Sequence, residues 1–116
     1  MPINKNNIEV NLTPQFRKDL KNLAKRYRSI RKDLQPLIKE LQSGNTPGDR
    51  LQGIDRQVFK VRIKNSNIQK GKSAGYRVIY YLQTLTGVVL ITIYSKSDLS
   101  EVGDRVIEQA IRQYEK

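Results

Sequence analysis

Lys60, Arg62 and Lys64 occupy alternate positions in the run Val58-Phe59-Lys60-Val61-Arg62-Ile63-Lys64, and Arg77 follows a polar connection. In an extended strand successive side chains point to opposite faces. The three cations therefore line one face within about 14 Å, while Phe59, Val61 and Ile63 line the other. Arg77 alternates with Tyr76, Val78 and Tyr80, so it is expected to reach the cationic face as well. Aligned like charges repel, and a fold gains nothing from such a row unless an anion usually sits on it. The plainer alternative is a solvated face in a basic protein. The concentration of cations favours a phosphate-binding surface, with planar arginine forks suited to a phosphoryl group.

Other side chains narrow the chemistry. The 116 residues include no cysteine and no histidine, which removes thiolate chemistry, the usual general base and the commonest zinc ligand. No cofactor or metal site is expected, because the acids neither pair nor cluster. Gly71-Lys72-Ser73 resembles the end of a phosphate-binding P-loop. The upstream glycine is missing, since Ser66 stands there, and a strand follows where a helix is required. Tyr76, Tyr80, Tyr81 and Tyr94 could stack on bases, although the alternation of Tyr76 and Tyr80 with Val78 suits a core better.

The cations need a frame. One domain over residues 1–116 is expected, large enough for a modest core. Ile8 to Leu12 alternates as a half-buried strand. Thr13 and Pro14 then open a helix, as N-cap and first helical residue. Phe16, Leu20, Leu23, Ala24 and Tyr27 share one helical face, and Ile30, Leu34, Leu37, Ile38 and Leu41 repeat the spacing. A short link makes these an αα-hairpin. Pro36 leaves two alternatives for the second helix: a start after Ser29 with Pro36 inside it, or a later start capped by Asp33. Residues 43–49 read as a loop. Val58 to Lys64, Gly75 to Leu82 and Val88 to Tyr94 read as strands, and Asp104 to Tyr114 as a final helix. The order β-α-α-β-β-β-α gives an α+β fold, with the hairpin packed on one face of a small, mainly antiparallel sheet and the other face largely open.

Charge follows the same division. The formal net charge is +11, which attracts polyanions. Asp55 to Tyr80 carries Arg56, Lys60, Arg62, Lys64, Lys70, Lys72 and Arg77 against Asp55 alone, whereas the segment from Lys96 onward is nearly neutral. The basic helices are read as solvated exteriors, since Lys and Arg are good helix formers. No apolar run suits a signal peptide or a membrane span, so a cytoplasmic protein with no membrane partner is expected, and Asn11-Leu12-Thr13 is a chance sequon.

Three segments together resemble the RelE/ParE superfamily of bacterial type II toxins, on its RelE and HigB side. They are Val58 to Lys64; Gly71-Lys72-Ser73-Ala74-Gly75-Tyr76-Arg77-Val78-Ile79-Tyr80-Tyr81; and Ile93-Tyr94-Ser95-Lys96-Ser97-Asp98. The resemblance implies a metal-independent, ribosome-dependent mRNA endonuclease that inhibits translation and is held by a cognate antitoxin, with 16S rRNA as a further contact. By the same resemblance Lys60, Arg62 and Arg77 are the catalytic set. Lys60 would be the general base and Arg77 the transition-state stabiliser, with Arg62 and Lys64 as phosphate-binding cations. Lys64, Lys70, Lys72, Tyr76, Lys96 and Ser97 would contact RNA or its phosphates. Ser97 stands where RelE-type members carry a catalytic arginine, and Gly103 where they carry a tyrosine. Two other readings remain: a ParE-like DNA gyrase poison, and a non-catalytic nucleic-acid-binding module or decayed toxin.

Overall fold

The computed structural model describes residues 8–68, 74–99 and 101–116. Its elements run β1 (Glu9–Leu12), α1 (Pro14–Ala24), α2 (Ile30–Gln42), β2 (Asp49–Arg50), β3 (Val58–Ile63), β4 (Tyr76–Thr84), β5 (Gly87–Ser95) and α3 (Asp104–Tyr114). The five strands form one sheet in the order β1-β5-β4-β3-β2. β1 lies parallel to β5, and every other neighbouring pair is antiparallel. The α+β class, the N-terminal hairpin and the final helix agree with the sequence reading.

Thr13 is a junction between sheet and helix. Its hydroxyl accepts from the Phe16 N–H at 2.9 Å and donates to the Ile91 carbonyl at 2.7 Å. The cap thus satisfies one orphan donor of α1 and ties the helix to β5. In α2 the earlier start is the one adopted: Ser29 precedes Ile30, and Pro36 lies inside the helix. Proline there removes one helical hydrogen bond and costs about 3 kcal/mol. Burial of Ile30, Leu34, Leu37 and Leu41 offsets that cost. Asp33 caps nothing. Its carboxylate accepts from the Ser66 N–H and hydroxyl, at 2.9 and 3.0 Å, and so pins the segment after β3 to the hairpin.

Two expectations are corrected. Residues 43–49 are not loop throughout, because Asp49 and Arg50 form the edge strand β2 on β3. Nor is the second sheet face largely open. One core joins α1 and α2 to Val61, Ile63, Tyr76, Val78, Tyr80 and Leu90. A second places Ile107, Ala110 and Ile111 of α3 on Val58, Ile79, Tyr81, Val89 and Ile91. All nine residues of β5 are buried, as a strand covered on both faces requires.

Candidate nucleic-acid interface

β3 divides its side chains as the alternation predicts. Val61 and Ile63 enter the hairpin core. Lys60 pairs with Ile79, and Arg62 with Arg77, which places these cations on the face that α3 partly covers. Arg77 in turn pairs with Tyr94. Arg62, Arg77 and Tyr94 therefore form one row across three strands, with Lys60 two positions along β3. Arg62 is exposed and Lys60 half-buried.

Arg77 reaches the expected face but is only 5 % exposed. Burial lowers its pKa from the ordinary arginine value, and the charge on Arg62 lowers it further. Its Nη1 lies 3.4 Å from the Tyr76 carbonyl oxygen. On its other side Tyr94 is 7 % exposed, and its hydroxyl has no hydrogen-bond partner among the described residues. Burial pushes that phenol's pKa up; the charge on Arg77 opposes the rise, and that on Glu101 adds to it.

Two glycines set the backbone around these residues. A Cβ on Gly75 would lie 2.2 Å from the Ile63 carbonyl oxygen, so only glycine fits where β4 begins against the end of β3. The Gly75 carbonyl accepts from the Lys96 N–H at 3.0 Å. The ends of β3, β4 and β5 thus converge beside Arg77, and Lys96 and Ser97 lie exposed at the same end. The Ser97 hydroxyl is 2.8 Å from that of Ser95. Gly48, with φ +96°, packs on the backbone of Lys60, where a Cβ would lie 2.3 Å from the carbonyl oxygen.

The remaining expected residues divide. Lys64 is exposed, one residue beyond β3. Lys70 and Lys72 lie outside the described residues. Tyr76 is corrected: it is fully buried in the hairpin core, edge-on to the Tyr27 ring at 5.7 Å. Alternation puts it on the face opposite Arg77, where it has no surface for a base to stack on.

Tertiary packing adds what the sequence reading missed. The turn into α3 returns to β3, and a cleft of about 380 Å³ is lined by Lys60, Leu51 and Ile79 together with Glu101, Val102, Gly103 and Asp104. Asp49 is also the cross-strand partner of Lys60. No local signal marks these acids, because they are distant from Lys60 in sequence. Among the described residues no group of three or more histidines, cysteines, aspartates or glutamates could hold a metal ion. No described helix is long and apolar enough to cross a membrane.

Comparison with known proteins accords with this architecture. Residues 10–99 match the family model of the ParE toxin of type II toxin–antitoxin systems. Among solved structures, the chain is similar to the Escherichia coli toxin RelE, in the free state of a mutant with two arginines replaced by alanine. The two chains share 18 % identity at a TM-score of 0.55, over 91 % of this chain and 96 % of that one. No curated protein sequence matches.

Proposed function

The chain belongs to the ParE toxin family of type II toxin–antitoxin systems, within the RelE/ParE superfamily, and we propose that it is a member that cleaves mRNA on the ribosome. The observation that carries this reading is the convergence of Lys60, Arg62 and Arg77 on one sheet face, at the edge of an open cleft. Cleavage of RNA by its own 2′-hydroxyl requires three things: removal of the hydroxyl proton, stabilisation of charge building on the phosphoryl oxygens, and protonation of the leaving 5′-oxygen. Lys60, at the cleft, would take the proton, and water would protonate the leaving oxygen. Arg62 is open to solvent and can pair with a phosphoryl oxygen bidentately. Arg77, beneath it, adds positive charge from a poorly solvated position, where Coulomb interactions are stronger. Positioning of the message by the ribosome would supply much of the remaining acceleration. The cognate antitoxin of such a toxin is expected to cover the cationic face.

Two observations favour a second reading, a gyrase poison. The matching family model is that of ParE, and the shielding of Arg77 limits its direct contact with a phosphate. Induction in cells without antitoxin, followed by sequencing of mRNA 5′ ends and by a gyrase cleavage assay, separates the two. New mRNA ends within coding frames, without trapped gyrase–DNA complexes, are expected. Trapped complexes with intact messages would replace the first reading with the second.

A further inference from the structure

The cleft beside Lys60 combines groups that a bare phosphate site would not. Leu51, Ile79 and Val102 give it apolar walls, while Glu101 and Asp104 bring two carboxylates next to the cation. The described ion pairs are Arg26–Asp98 and Arg56–Glu115, so neither carboxylate is neutralised by Lys60. Lys60 lines this cleft and shares its sheet face with the Arg62–Arg77 pair. The cleft therefore adjoins the cationic row at Lys60. Gly103 leaves it room, since a Cβ there would meet nothing within 4 Å.

On a surface that binds RNA, a carboxylate opposes the phosphates and weakens binding unless it faces a donor. Single-stranded RNA offers such donors on its base edges, where sequence is read. A cleft of about 380 Å³ falls at the small end of ligand sites, and three apolar walls suit one flat base. Ionised carboxylates only accept hydrogen bonds. Adenine, cytosine and guanine each present an exocyclic amino group to them. Uracil presents two carbonyl oxygens flanking one N–H, and those oxygens repel carboxylates.

We propose that this cleft seats the base of a nucleotide next to the scissile phosphate, and that Glu101 and Asp104 admit an amino-bearing base and reject uracil. This specificity rests on the ribonuclease reading. It assigns Lys60 the phosphate side of the nucleotide and the two acids the base edge.

The test uses the full chain in a ribosome-containing translation reaction programmed with a codon-randomised message, with 5′ ends sequenced. In the unaltered protein, uracil is expected to be depleted about tenfold at one fixed position relative to the cut. In the Glu101→Gln, Asp104→Asn double variant the depletion should fall to twofold or less, on the order of the loss of one such contact, because amides also donate to carbonyl oxygens. Both substitutions are on exposed residues, and a thermal melt checks that the fold is kept. Cuts without base bias in the unaltered protein, or the same bias in the double variant, would overturn the subsite and leave the ribonuclease reading standing. Absence of cuts in the unaltered protein would overturn both.

Discussion

The two faces of the sheet are built from the same strands but meet different demands. On the hairpin face, β3 and β4 contribute Val61, Ile63, Tyr76, Val78 and Tyr80 to a core closed by two helices. On the α3 face the same strands contribute Val58, Ile79 and Tyr81 to a core at one end and Arg62 and Arg77 at the other. The hydroxyls of two tyrosines differ in their partners. Tyr80, under the hairpin, donates to the Pro47 carbonyl at 2.6 Å, whereas Tyr94, beside Arg77, has no described partner. The hairpin face is organised for stability. The end of the α3 face keeps a buried cation, a feature that lowers stability and therefore points to use; an unpartnered buried hydroxyl occurs on both faces, since that of Tyr76 under the hairpin also has no described partner.

Substitutions can separate those demands, and the largest effect is expected in the hairpin core. Ile30 is fully buried, so Ile30→Ala should cost about 2–5 kcal/mol of unfolding free energy, read by urea titration. Activity per folded molecule should stay unchanged. Arg77→Ala should do the reverse: growth arrest disappears and mRNA cleavage falls on the order of 10²–10³-fold, while the melt shows a folded protein. Unchanged arrest by that variant would remove Arg77 from the site.

A paired tyrosine experiment sharpens the contrast at a smaller scale. Tyr80→Phe leaves the Pro47 carbonyl without its donor and should destabilise by about 1 kcal/mol. Tyr94→Phe deletes a hydroxyl that has no described partner and should be neutral or slightly stabilising. Equal losses of stability in the two variants would contradict the partners assigned to these two hydroxyls.

The smallest effect lies at the far end of α3. Arg56 donates twice to Glu115 at 2.5 Å, and the Tyr81 hydroxyl donates to the same carboxylate at 2.8 Å. The Arg56 hydrogen bonds hold Glu115 below its ordinary pKa. A depressed folded-state value means that this stability is fully present above the ordinary glutamate value and is lost as pH falls from there through the lower folded-state value. The pair is partly exposed to solvent, so the loss should be about 0.5 kcal/mol. Arg56→Gln should flatten that part of the stability–pH curve.

Much of this arrangement was legible before the structure. Thr13-Pro14 marked the start of α1, and alternation in β3 separated Lys60 and Arg62 from Val61 and Ile63. Val88 to Ile91, apolar in both phases, already carried the mark of burial on both faces, which the expectation of an open second face overlooked. β2 was invisible because its two exposed residues are a strand only through their bonds to β3. Tyr76 and Arg77 are adjacent, and the shared motif grouped them, but strand geometry sends them to opposite faces. The acids beside Lys60 come from the turn into α3, and no periodicity links positions so far apart.

The parallel pairing of β1 with β5 has a consequence for how the chain acquires its shape. Glu9 to Leu12 lies along Gly87 to Leu90, and the Thr13 hydroxyl reaches the Ile91 carbonyl. The first strand of the sheet therefore has nothing to pair with until the last strand has been made. Such non-local closure slows folding. During synthesis the helical hairpin can form early, but the sheet that aligns Lys60, Arg62 and Arg77 is completed only once β5 has emerged. A growing chain thus carries its cations long before it carries a site, and premature termination ahead of β5 should release a harmless fragment.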